Sequence, residues 1–223
     1  MLNWTNIQTV LLDMDGTLLD LHFDNYFWME HVPECFAAIH QVPIEHARQK
    51  LHHEFTAFHG KLEFYCIDFW SNRLAIDIEQ EKDALSKRIS FLPYATELLD
   101  QLKNSAMQSM IVTNAHRKTF QIKDQKLQLS GRVDKVVVSH ELYYAKEDIA
   151  FWEALQADIA FDPEKTLLVD DNENVLEAAA AFGIRHLVIP RNPDSTRPSQ
   201  AIRNPGSYHA IDDLAQVFPH GRK

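Results

Sequence analysis

Asp13 and Asp15 stand two residues apart in the stretch LLDMDGTLLD, residues 11–20. On a strand, that spacing turns both side chains to one face. Two carboxylates so placed repel each other, and the repulsion raises at least one pKa. A chain keeps such a pair where a cation, a shared proton or a reaction makes use of it. Further reactive groups stand far along the chain: Thr113-Asn114, Lys146 and Asp170-Asp171. Acids, a hydroxyl and an ammonium must therefore be gathered by the fold.

The elements that would gather them are compact apolar runs of strand length: 8–12, 109–113, 135–139, 166–170 and 186–190. Such runs suit strands buried on both faces, as in a parallel sheet. Helical patterns separate them. In 93–104, Ala95, Leu98, Leu99 and Leu102 form one stripe, with Pro93 suited to the first turn. The pattern over 117–131 ends on Gly131, and that over 172–183 on Gly183. Over 147–159, Ile149, Trp152, Leu155 and Ile159 share a face. The alternation argues an α/β, doubly wound (Rossmann-like) parallel sheet. In that fold ligands bind at the carboxyl ends of the strands, where the acids, Thr113 and Lys146 all fall.

Residues 20–90 break the rhythm. Trp28, Val32, Cys35 and Ile39 repeat at helical spacing, as do Ala47, Leu51, Phe55 and Phe58, while Pro33 and Pro43 kink or divide the helices. This predicts an inserted helical cap over 20–90 and an α/β core from 1–19 and 91–223, with hinges near Leu19–Leu21 and Ser90–Pro93. The tail after Pro190 reads as irregular, with a short helix near Asp212–Val217.

Composition narrows the function. The formal net charge of −10 opposes binding to a phosphate backbone, so nucleic acid is not an expected partner. A small anionic substrate stays possible, because a divalent cation reverses the local sign. Cys35 and Cys66 form no CxxC pair and read as reduced, buried thiols. No signal peptide and no membrane span is expected, which makes the cytoplasm the expected location. HHEFTAFH, residues 52–59, lacks the second histidine of a zinc-protease pattern, so no zinc site is expected.

DMDGT at 13–17, VTN at 112–114, Lys146 in YAKED and VDD at 169–171, in that order, resemble the four motifs of the haloacid dehalogenase superfamily of phosphohydrolases. The resemblance implies a Mg²⁺-dependent phosphomonoesterase. In it, Asp13 is the nucleophile that forms an aspartyl-phosphate, and Asp15 protonates the leaving group and then activates water. Thr113 and Asn114 meet the phosphate, and Lys146 stabilises its charge and holds the acids together. Asp13, the Asp15 carbonyl and Asp170 hold the metal. Dehalogenases of the superfamily lack an acid equivalent to Asp15, so its presence favours phosphoryl transfer. The phosphonate-cleaving branch uses a cap lysine, but Lys50, Lys61, Lys82 and Lys87 read as solvated surface. Two positions depart from the family pattern. Ala145 and Glu147 flank Lys146 where prolines are common, and Asn174 stands where a second acid is common. Asn174 is suited to hydrogen-bond a coordinated water or the lysine. Asp171 either shares the metal-side charge or caps the following helix.

The cap region is rich in aromatics: Phe23, Tyr26, Phe27 and Trp28, then Phe64, Tyr65, Phe69 and Trp70. Most are expected to form the cap's own core, with one or two left to stack on a base, and Asn25 is placed to read a purine edge. His22, His116, Arg117 and Arg191 are further candidates for substrate contact. LLDMDGTLLDLHFDNYFW, TNAH at 113–116, KED at 146–148 and NPDS at 192–195 resemble the bacterial GMP/IMP 5′-nucleotidase group. That resemblance implies hydrolysis of purine nucleoside 5′-monophosphates. The same core motifs also fit a phosphatase for phosphoglycolate or sugar phosphates, a phosphomutase, or a phosphate-binding protein without turnover.

Overall fold

The computed structural model describes residues 4–219, so residues 1–3 and 220–223 of the expected core lie outside it. Six strands form one sheet: β1 Thr9–Leu12, β2 Gln108–Thr113, β3 Lys135–Val138, β4 Thr166–Val169, β5 His186–Pro190 and β6 His209–Ile211. The order is β3-β2-β1-β4-β5-β6, and every pair is parallel. The five expected strands are present. β6 was not expected: three residues with one buried side chain carry too little pattern to distinguish them from a loop.

Parallel strands need both faces covered, and their sequences supply the cover. In β1, Val10 and Leu12 pack on one side with Leu98, Leu99 and Leu102 of α6 (Ala95–Lys103). Leu11 packs on the other with Trp152 and Leu155 of α8 (Ile149–Asp158) and Leu176 and Ala179 of α9 (Glu173–Phe182). The chain leaves β1 for β2 on one side, and β4 lies on the other. A crevice therefore opens beyond the carboxyl end of β1.

Between β1 and β2 lie five further helices: α1 His22–Tyr26, α2 Val32–His40, α3 Ile44–Phe58, α4 Ile67–Leu74 and α5 Ile78–Ala84. They share an apolar cluster that includes Phe27, Val32, Phe36, Leu51, Trp70 and Ile78. Two neighbouring strands of chain join this segment to the sheet. Asp20 N–H donates to the Ser90 carbonyl at 3.0 Å, and Leu92 N–H to the Leu18 carbonyl at 2.9 Å. No helix among the described residues is long and apolar enough to cross a membrane.

Several helix details differ from expectation. A π-helical turn over Phe27–His31 inserts an extra residue between α1 and α2 and shifts the apolar stripe. Phe27, Val32 and Phe36 are buried, whereas Ile39 is half exposed. Pro33 sits in the first turn of α2 and Pro43 precedes α3. α7 (Arg117–Leu127) stops before Gly131, at Gln128, which adopts the left-handed conformation at φ 54°. Pro93 precedes α6 rather than opening it, because Tyr94 is left-handed at φ 66°. Ile149 is exposed, and Phe151 takes its place in the core. Cys35 and Cys66 are free and only half-buried.

Candidate active site

Asp13 directly follows β1, Thr113 closes β2, Lys146 lies on the loop after β3 and Asp170 directly follows β4. The sheet order brings all four to one crevice, where they line a cavity of about 540 Å³ together with Asp15, Asn114 and Asp171. That volume is in the range of small-molecule sites.

Lys146 ties the crevice together. Its Nζ donates to Asp13 Oδ1, to Asp170 Oδ2 at 2.6 Å and to the Val112 carbonyl at 3.0 Å. All three of its protons are thus used. Burial opposes its charge, but Asp13 and Asp170 outweigh burial and hold its pKa above the ordinary lysine value. Asp13 is pushed up to about 6, by burial first, against the pull of Lys146. Asp15 is also pushed up to about 6, again by burial first, against the pull of Lys123.

Asp13 and Asp15 lie beyond the strand rather than on it, yet both line the cavity. β1 ends at Leu12, and each carboxylate takes its own ammonium partner: Lys146 for Asp13 and Lys123 for Asp15. Their mutual repulsion is a minor contribution beside burial.

Asp13, Asp170 and Asp171 each present one oxygen, and the three oxygens lie within 4.8 Å of one another. An all-oxygen carboxylate set suits a hard divalent cation such as Mg²⁺. Asp171 is pushed well above the usual carboxylate range by burial and by the charges of Asp13 and Asp170, a cost that such a cation would relieve. Gly16 keeps the floor open. It adopts φ +83°, and a Cβ there would lie 2.5 Å from Asp171 Oδ2. Asp171 does not cap the next helix; Asn172 does, accepting from Asn174 N–H at 3.0 Å. Asn174 turns away from Lys146 and accepts from Arg203 Nη2 at 2.7 Å.

Thr113 Oγ1 accepts from Ala115 N–H at 3.0 Å, which leaves its own proton to donate. The Asn114 side chain is committed to the loop of Lys146, accepting from Lys146 N–H at 2.9 Å and donating to Glu147 at 2.8 Å. Glu147 also accepts from Asn172 Nδ2 at 3.2 Å and from the Tyr65 hydroxyl. Sequence reasoning noticed Glu147 as a departure from the superfamily pattern and as part of KED at 146–148, and missed this bridge to the helical segment.

The largest surprise is Lys82. Expected at the surface, it is 2% exposed and donates to Asp24 Oδ1 at 2.5 Å. Its Nζ lies 4.4 Å from the Phe27 ring centroid. The other Asp24 oxygen accepts from Lys123 at 2.5 Å. Burial pushes Asp24 up, but Lys123 and Lys82 together hold it below the usual carboxylate range. Lys123 was missed as well. Its signal was position: it falls on the inward face of α7 with Thr119 and Phe120, where an apolar residue is the ordinary choice.

Of the eight aromatics, Trp28, Phe64, Tyr65 and Trp70 line the cavity, joined by Phe55. Phe23 and Phe27 are core, Phe69 packs on Phe58 and Trp70, and Tyr26 lies under the Arg88 guanidinium at 4.0 Å. Asn25 borders the cavity but donates to Asp194 at 2.7 Å. His22, His116, Arg117 and Arg191 do not border it. They lie near Thr196, Asp68, Glu141 and Asp212 respectively. From the tail, Gln200 and Arg203 reach the cavity, which sequence reasoning missed.

Known proteins share the sequence family and the fold. Residues 10–189 match the family described as haloacid dehalogenase-like hydrolase. The GMP/IMP nucleotidase YrfG of Escherichia coli (strain K12) is 38% identical over 217 residues, covering 97% of this chain and 96% of that protein. Among solved structures, a HAD phosphatase from Thermococcus onnurineus superposes with a TM-score of 0.80 at 17% identity, covering 95% of this chain and 96% of that one. The HAD-hydrolase YfnB of Bacillus subtilis, bound to magnesium, superposes at 0.65 with 15% identity and the same coverage.

Proposed function

The chain belongs to the haloacid dehalogenase-like hydrolases and is a phosphatase of that family, and on that premise we propose a Mg²⁺-dependent 5′-nucleotidase acting on purine nucleoside monophosphates such as GMP and IMP. The observation that carries the reading is Lys146, buried between Asp13 and Asp170 beneath a cavity walled by Trp28, Phe64, Tyr65 and Trp70.

Asp13 attacks phosphorus, the ester P–O bond breaks, and an aspartyl-phosphate forms. Asp15 gives its proton to the leaving oxygen, then takes one from the water that attacks the acyl phosphate. Its pKa near 6 suits both roles near neutral pH. Thr113 donates its free hydroxyl proton to a phosphoryl oxygen, and Lys146 fixes the nucleophile and offsets phosphate charge. Asn114 and Glu147 hold the Lys146 loop in place. Asp13, Asp170 and the Asp15 carbonyl, with Asp171 beside them, would hold Mg²⁺. When bound, the cation neutralises charge between carboxylate and phosphate.

Residues 20–90 act as a cap on a core of 1–19 and 91–223, and their rings stack on the base. The cytoplasm fits the nucleotide substrate, and the net charge of −10 argues against nucleic acid as a partner.

The test is phosphate release with Mg²⁺ over GMP, IMP, AMP, UMP, phosphoglycolate and glucose phosphates, with Asp13→Asn as the inactive control. GMP and IMP should lead by about tenfold or more in kcat/KM, roughly 1.4 kcal/mol of discrimination. A lead by phosphoglycolate or a sugar phosphate would overturn the substrate assignment and leave the core chemistry standing. No turnover on any ester would overturn both.

A further inference from the structure

Four charged groups from four parts of the chain form an unbroken series, its lysines buried and its aspartates half-buried: Asp15 after β1, Lys123 on α7, Asp24 on α1 and Lys82 on α5. Lys123 Nζ donates to Asp15 Oδ1 at 2.6 Å and to Asp24 Oδ2 at 2.5 Å, and Lys82 Nζ donates to Asp24 Oδ1 at 2.5 Å. Lys123 and Lys82 are 1% and 2% exposed. With both aspartates ionised, two carboxylates and two ammoniums alternate and their charges balance. Taking such ions out of water is costly, and apolar residues of similar volume stabilise a fold at least as well. Net stability is therefore a poor reason for the chain. Geometry is a better one, because one end of it is the acid of the reaction and the other lies in the helical segment.

We propose that Lys123 is a positioning residue for the acid–base step and that it couples Asp15 to the cap through Asp24 and Lys82. The inference rests on the assignment of Asp15 as general acid. Lys123 fixes Oδ1 of Asp15. Oδ2 makes no hydrogen bond among the described residues, and Asp15 lines the cavity. Oδ2 is thus the oxygen that carries the proton to the substrate. As the ester P–O bond breaks, its electron pair goes to the leaving oxygen and the Oδ2 proton follows; Lys123 keeps its own protons. When the helical segment moves off, Asp24 and Lys82 go with it, and Lys123 loses the partner that holds it in line. The acid is then in working orientation only while the segment is seated.

Leaving-group dependence tests this. An acidic phenol departs without help, whereas an alkoxide needs its proton. Steady-state kinetics are measured on p-nitrophenyl phosphate and on the best alkyl phosphate of the substrate panel, with thermal melting to verify folding. The comparison is made in kcat/KM, which reports the steps up to leaving-group departure and so excludes the later hydrolysis in which Asp15 serves as base for both esters. Asp15→Asn sets the reference and should cost about 10²- to 10⁴-fold in kcat/KM on the alkyl ester but less than about 10-fold on the aryl ester. Lys123→Met should reproduce that split in kcat/KM, and Asp24→Asn should reproduce it more weakly. If Asp15→Asn lowers kcat/KM equally for both esters, the general-acid assignment fails and takes the proposal with it. If Asp15→Asn splits the esters but a folded Lys123→Met slows both equally or neither, Lys123 is a structural ion and the proposal alone is overturned. If Lys123→Met does not fold, Asp24→Asn decides by the same criterion.

Discussion

Tyr65 of the helical segment donates its hydroxyl hydrogen bond to Glu147, the residue that follows Lys146 in the core. Burial and the Glu147 charge push the phenol pKa up, so the donor keeps its proton at any working pH. Glu147 in turn receives Asn114, whose side chain accepts from the Lys146 backbone. One hydrogen bond thus links the helical segment to the loop that presents Lys146.

Tyr65→Phe removes that link and little else. A hydrogen bond to a charged group contributes about 1.5–3 kcal/mol. We expect kcat/KM to fall by about 10-fold or more, with circular dichroism unchanged. Unaltered kinetics in Tyr65→Phe would show that the contact has no part in seating the segment.

Gly16→Ala addresses the floor of the site. At φ +83° an alanine is strained by about 1–2 kcal/mol, and its Cβ would meet the Asp171 carboxylate at 2.5 Å. The loop carrying Asp13 and Asp15 must shift, and misplacement of about 1 Å costs on the order of 10²-fold in rate. Turnover should fall by that order; a variant with turnover near the parent's would mean that the loop relaxes freely.

The strands and the strand-end groups were legible because each rests on a local signal. TVLL and TLLV are continuous apolar runs, and Asp13, Thr113 and Asp170 stand where such runs stop. The π-helical turn at Phe27–His31 was not legible, because one extra residue leaves composition unchanged while it moves Ile39 to solvent. Lys82 and Lys123 were hidden for a different reason. A lysine is buried only when distant partners pay for its desolvation, and Asp24 lies 58 and 99 residues away from them in sequence. The role of Glu147 likewise depends on Tyr65, 82 residues earlier.

Metal removal separates the carboxylate cluster from the rest of the fold. Dialysis against EDTA should abolish phosphate release, and Mg²⁺ should restore it. Added Mg²⁺ should also raise Tm. Saturation to 100 times Kd contributes about 2.7 kcal/mol, which for a chain of this size is about 5–10 °C. Asp170→Asn should need more Mg²⁺ for half-maximal rate. Full activity after exhaustive chelation would refute the assignment of Asp13 and Asp170 as ligands.

His140 offers a stability test away from the carboxylates. Burial, then the neighbouring His116 ring at 5.0 Å, pushes its pKa down to about 4, while Asp68 and Glu63 pull weakly the other way. An unfolded histidine titrates near 6.5. Between those values the unfolded chain binds more protons than the folded one, so this contribution to stability is complete above pH ~6.5 and is lost as pH falls toward ~4. Asp13 and Asp15, raised to about 6, act in the opposite sense, because the folded state takes up protons as pH falls from there toward the usual carboxylate value. The total curve mixes both, so the informative quantity is the difference between the parent and His140→Gln. The parent should lose more Tm than the variant between pH ~7 and ~4.5. Parallel curves would mean that His140 is not held neutral in the fold.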